Sequence, residues 1–168
     1  MGPVLLIDIP IPVDSTIGMN LSFTTNIKWL ASDQFLENLA IHLGDELQCL
    51  GYPLQLTSND ARYPILRSGK IASYPVIPQK TAKQILFDFR VYPGNSGGPV
   101  YFSYSQRLFK GTYRIDQHMT YQKILGLVSQ MAGPVHQKDP SVGIIVPAIF
   151  IKETIDALAG FESTLPSE

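Results

Sequence analysis

The chain has 168 residues, enough for one domain with a proper core but not for two large ones. Its 13 basic and 14 acidic residues leave a net charge of −1, and 45% of its residues are hydrophobic. This ordinary globular balance points away from nucleic acid or an anionic membrane as partner, and no apolar stretch is long enough to span a bilayer.

The 13 Gly and 13 Pro favour many short strands joined by turns. Val4 to Ile11 reads as a buried strand closed by Pro10 and Pro12, with Asp8 inside it. Met1-Gly2-Pro3 supplies no basic region ahead of that short apolar run, so no signal peptide is expected. Ser32 followed by Asp33 predicts the capped start of a short helix, with Gly44 as its C-terminal glycine and His42 as a residue capping its last carbonyls. Strands are expected at Leu47–Tyr52, at Ile65–Tyr74 with a break at Gly69, at Gln84–Tyr92, at Pro99–Tyr104, at Tyr121–Met131 and at Val142–Val146. Pro147 stands where a helix should begin, Ile149, Ile151, Ile155 and Leu158 carry helical spacing, and Gly160 is expected to stop it. Seven strands spaced by turns, with one C-terminal helix, predict an all-β antiparallel barrel or sandwich.

Cys49 is the single cysteine. It excludes an internal disulfide, reads as a small buried apolar residue, and mildly favours a reducing, cytoplasmic compartment. No His, Cys or carboxylate cluster has metal-ligand spacing, so neither metal nor cofactor is implied.

The informative stretch is Tyr92-Pro93-Gly94-Asn95-Ser96-Gly97-Gly98-Pro99-Val100. Acyl transfer to a serine needs a hydroxyl projecting from a tight turn and two N–H groups aimed at the oxygen that becomes negative. Glycines permit that backbone. Ser96 is the candidate nucleophile, and the Gly94 and Ser96 amides are the candidate oxyanion donors. Gly94 to Gly98 also fits G-x-S-x-G, but that elbow requires a helix after the serine, and Pro99-Val100-Tyr101-Phe102 reads as a strand.

G-N-S-G-G-P-V resembles the nucleophile signature of chymotrypsin-like (trypsin-like) serine peptidases, including their bacterial members. The flanks resemble the family too. Gly44-Asp45-Glu46-Leu47 with Gly51-Tyr52-Pro53 looks like the opening of the second barrel, and Gly126-Leu127-Val128-Ser129 like the strand beside bound substrate. The resemblance covers the chain from about Gly44 onward. It implies an antiparallel Greek-key β-barrel with a C-terminal α-helix at residues 44–168, with residues 1–43 a remnant of the first barrel and the crossover. It also implies a peptide or protein substrate whose backbone pairs with, or whose pocket is bordered by, Ser129, Gln130 and Met131. Arg90, six residues before Ser96, falls near the pocket floor by the family's spacing, or turns to solvent on its strand.

Such a peptidase needs a histidine, oriented by a carboxylate, beside the serine. No A-x-H context precedes Ser96, and His118 and His136 lie after it in polar segments that read as surface. The 43 residues before Gly44 are too few for a six-stranded barrel at about 5–6 residues per strand plus turns. The expectation is therefore a serine-peptidase fragment with an incomplete triad. The alternative is a non-catalytic peptide-binding barrel.

Overall fold

A computed structural model of the chain describes residues 27–60, 62–104, 121–132 and 142–162. The expected strand Val4 to Ile11, together with Asp8, His118 and His136, lies outside them.

Six strands form a closed antiparallel barrel: β1 (Glu46–Gly51), β2 (Ile65–Ile71), β3 (Ile85–Asp88), β4 (Pro99–Tyr104), β5 (Tyr121–Ala132) and β6 (Val142–Pro147), in the spatial order β1-β2-β3-β6-β5-β4. Alternation drives the closure. In β1, Leu47 and Cys49 face inward while Glu46 faces solvent, and in β4 Val100 and Phe102 are buried. Leu47, Cys49, Phe87, Val100, Phe102, Leu125 and Ile145 join one core cluster. The Phe87 and Phe89 rings stack at 4.8 Å, and Phe35 and Phe102 at 6.0 Å.

Residues ahead of the barrel pack onto it. Ala31 N donates to Ile124 O at 2.8 Å, and Leu36, Leu39 and Ile41 belong to the barrel's own core. The helix α1 (Asp33–Asn38) starts as expected, with the Ser32 hydroxyl accepting from Phe35 N. Its end differs. Ala40, not Gly44, takes the left-handed conformation at φ 50°. Ala40 N donates to Glu37 O and Ile41 N to Leu36 O, which is a Schellman ending, and burial of Ile41 beside Leu36 holds a non-glycine residue there. His42 therefore lies beyond the helix. Its Nδ1 stands 3.0 Å from Leu43 O and 3.6 Å from Asp45 Oδ2, so it caps no α1 carbonyl.

Other boundaries move for local reasons. Gly69 does not interrupt β2; it pairs with Leu47. β3 stops at Asp88 because only Ile71↔Phe87 and Lys70↔Asp88 pair it with β2, although Phe89 and Val91 stay buried. A short helical turn, α2 (Gln79–Ala82), interrupts the β2–β3 connection. Pro147 closes β6 opposite Gly126, so α3 (Ala148–Glu162) begins one residue later and runs through Gly160.

Candidate functional site

The serine loop is two consecutive turns sharing Asn95. In the first, Asn95 N donates to Tyr92 O at 3.0 Å around Pro93 and Gly94. In the second, Gly98 N donates to Asn95 O at 3.0 Å around Ser96 and Gly97. Each turn needs positive φ at its third residue, and glycine sits there both times: Gly94 at +93° and Gly97 at +79°. The proline at the second position of the first turn presets the φ it requires.

This arrangement determines which amides are left over. A four-residue turn uses the N–H of its last residue and leaves those of its two middle residues. In the first turn Pro93 has none, so Gly94 N is left. In the second, Gly97 N donates to Val128 O at 2.8 Å, so Ser96 N is left. Among the described residues neither the Gly94 nor the Ser96 amide has a hydrogen-bond partner.

The loop is held from three directions. Tyr52 N donates to Gly94 O at 3.0 Å and Leu54 N to Pro93 O at 2.7 Å, which ties it to the chain leaving β1. Val128 N donates to Gly98 O at 2.9 Å, which ties it to β5. From within, Asn95 is 1% exposed, and its Oδ1 accepts from Tyr92 N at 2.9 Å. Asn95 Nδ2 is buried without a partner among the described residues.

Ser96 is exposed and opens onto a cavity of about 420 Å³. One wall is Leu50, Gly51, Tyr52 and Pro64; the other is Gly94 and the run Ser96 to Pro99. Strand β4, not a helix, follows the loop. This departs from the G-x-S-x-G elbow as the residues after Ser96 led one to expect.

The remaining sequence-derived residues are spread more widely. Ser129 is exposed and sits at a bulge in β5, where the register against β6 shifts between Val128 and Gln130. Gln130 and Met131 pair with Ile144 and Gly143 of β6. On its other side β5 pairs with β4 only as far as Leu127 and with the serine loop at Val128. Among the described residues the backbone from Ser129 onward thus has a neighbour on one side only. Arg90 is exposed, with its guanidinium 5.4 Å from the Tyr92 ring centroid, and it does not line the cavity. Arg67 has its guanidinium 4.3 Å from the Phe89 centroid and its Nη1 donating to Arg90 O.

Sequence reasoning missed two features. Asn95 braces the loop backward, through Tyr92 N, and its signal is only that Asn side chains in turns bond nearby backbone. The β1–β2 wall of the cavity was not legible, because Pro64 is far from Ser96 in sequence and no motif marks it.

Among the described residues no histidine or carboxylate lines the cavity, and no three His, Cys, Asp or Glu side chains are grouped to hold a metal. No helix among them is long and apolar enough to cross a membrane. The fold and site define a closed six-stranded antiparallel barrel carrying an exposed serine on a doubly turned glycine loop. No protein-family model matches the chain, and no curated protein matches it.

Proposed function

We propose that this chain carries the acyl-transfer half of a trypsin-like serine endopeptidase, with Ser96 as the nucleophile. One observation carries the reading: the only amides the double turn leaves without partners among the described residues are those of Gly94 and Ser96, flanking an exposed hydroxyl at a cavity. The strand order supports it as well. β4 lies beside β1, giving β4-β1-β2-β3, the spatial order of a Greek key. In this reading Ser96 Oγ bonds to the scissile carbonyl carbon while a base takes its proton, and the two amides receive the developing oxyanion. The carbon–nitrogen bond then breaks as the amine is protonated, and water hydrolyses the acyl ester. The base comes from outside the described residues.

Because no base lines the cavity among the described residues, the test supplies one. The full chain is treated with a fluorophosphonate in imidazole buffer and digested for mass spectrometry. Ser96 Oγ should gain the phosphonyl group with loss of fluoride, faster with imidazole than without, and Ser96→Ala should take up none. Equal labelling of the two proteins would sink the assignment.

A second reading is favoured by the lack of a base at the cavity and the one-sided backbone beyond Val128 among the described residues: a peptide-binding barrel that uses the β5 edge by strand addition. It predicts peptide binding that Ser96→Ala leaves intact, with no labelling under any buffer.

A further inference from the structure

The β1–β2 connection beside the candidate serine exposes an unusual amount of apolar surface. Tyr52, Leu54, Leu56 and Tyr63 keep between 44% and 63% of their surface in solvent. They are not scattered. Tyr52 and Pro64, at the two ends of this connection, both line the cavity, and Leu54 is fastened to Pro93 of the serine loop through its own N–H. The connection is also held in a costly backbone. Leu54, Gln55 and Arg62 all have positive φ, at 54°, 63° and 59°, where side chains other than glycine are disfavoured. Large apolar residues held rigidly in water next to a cleft mark a binding face, since a monomer gains nothing by leaving them there.

We infer that this connection and the cavity wall behind it form an apolar subsite for one half of an extended peptide substrate, the half that lies away from β5. The inference rests on the reading of Ser96 as the acyl-accepting residue and adds the substrate's chemistry to it. The serine loop separates two surfaces: β5 is bonded to it at Gly97 and Gly98, while the cavity opens on the opposite, β1 side at Leu50 to Tyr52. A peptide crossing Ser96 has one half on each.

Charge determines what the β1 side accepts. Among the described residues no charged side chain lines the cavity, and the only charged residues in the sequence between Tyr52 and Pro64 are Asp60 and Arg62, exposed and of opposite sign. A charged substrate side chain would lose its water there with no partner in return, whereas Leu or Phe would bury surface favourably. The volume of about 420 Å³ falls within the usual range for a ligand site and admits one or two large side chains.

The test measures binding, so that it does not depend on chemistry. Fluorescent Gly-Ser decapeptides carry one residue pair, Leu-Phe, Glu-Glu or Lys-Lys, at successive positions, and are titrated against the full chain bearing Ser96→Ala. The best Leu-Phe peptide should bind at least about tenfold more tightly than the Glu-Glu and Lys-Lys peptides of the same position. Adding Leu54→Ser or Tyr63→Ser, both at exposed positions, should cut that preference below about threefold. Tyr74→Ser, at an exposed tyrosine outside this connection, should leave it unchanged. Absence of a preference, or a preference that Leu54→Ser and Tyr63→Ser do not reduce, overturns the subsite. So does self-association in sedimentation that Leu54→Ser abolishes, because the face would then belong to a second copy of the chain. The labelling test separates the two levels. A chain labelled at Ser96 without an apolar preference refutes the subsite alone, and an apolar preference without labelling refutes the nucleophile alone.

Discussion

The side-chain amide of Asn95 lies so close to Gly51 that a Cβ at position 51 would stand 2.8 Å from Asn95 Nδ2. The same Cβ would meet Asn95 Cα and Gly94 O at 3.3 Å. Asn95 is the residue shared by the two turns, so whatever moves it moves Ser96. Gly51→Ala should cost about 1–3 kcal/mol, the usual range for overpacking a filled site. The rate of Ser96 labelling should fall as well, under conditions where the variant is still fully folded. Urea unfolding and labelling rate, measured on the same preparation, check both halves. A variant that is destabilised but labels at the parental rate would show that Gly51 supports the barrel and not the serine.

Gly94 and Gly97 both have positive φ, yet their surroundings differ. A Cβ at Gly97 meets nothing within 4 Å, whereas one at Gly94 runs into the Tyr52 carbonyl. Gly97→Ala should therefore show backbone strain alone, about 1–2 kcal/mol. Gly94→Ala adds a backbone collision that cannot relax through a rotamer, for a total above about 3 kcal/mol. Unfolding midpoints of the two variants give the comparison. Equal losses would mean that the loop yields at Tyr52.

Much of this barrel is legible because its strands obey period two within short, turn-bounded runs. Pro99–Tyr104 falls where expected to the residue, and Tyr121–Ala132 within one. Six of the seven expected strands are the six of the barrel; the seventh, Val4 to Ile11, lies outside the described residues. The positions that misled are those where tertiary packing overrides a local preference. Ala40 occupies a conformation that favours glycine because Ile41 is pulled into the core beside Leu36. Gly69 reads as a break, yet it sits in an unbroken ladder opposite Leu47. The tight turn at Ser96 was legible from the glycines around it, which permit positive φ. The cavity wall at Pro64 was not, since it exists only because β1 and β2 pair and return the chain to the loop.

Cys49 is 1% exposed, and its burial pushes the thiol up to about 11 from an ordinary 9.0, against a smaller opposing pull from Arg67. The sign follows from linkage. A thiol harder to ionise in the folded chain than in the unfolded one contributes stability that is fully present below pH 9.0 and is lost as the pH rises through about 11. Tyr101 is also pushed up, by burial and then by Cys49, so it reinforces the trend. Unfolding midpoints between pH 8 and 11 should fall more steeply for the parent than for Cys49→Ala. At neutral pH iodoacetamide should modify Cys49 only as fast as the chain opens. Rapid alkylation of the folded protein would contradict this burial.

Gln79 is fully buried and joins three parts of the chain that are distant in sequence. Its Nε2 donates to Ala31 O at 2.9 Å, its Oε1 accepts from Ile149 N at 3.1 Å, and its own backbone N–H donates to Asp33 Oδ1 at 3.1 Å. The Ile149 bond matters most. Ile149 is the second residue of α3, in the first turn, where helical amides have no carbonyl of their own helix to bond. Gln79 therefore caps the C-terminal helix from the β2–β3 connection while holding the segment ahead of α1 in place. Gln79→Leu keeps the volume roughly but removes both side-chain bonds and strands two backbone groups. At about 1–3 kcal/mol for each, the loss should total about 2–6 kcal/mol. Exchange of the Ile149 amide should rise more than that of β1 or β4 amides, because the cap is lost locally before the barrel opens. Uniform acceleration across the barrel would place Gln79 in the global core and remove its role as a cap for α3.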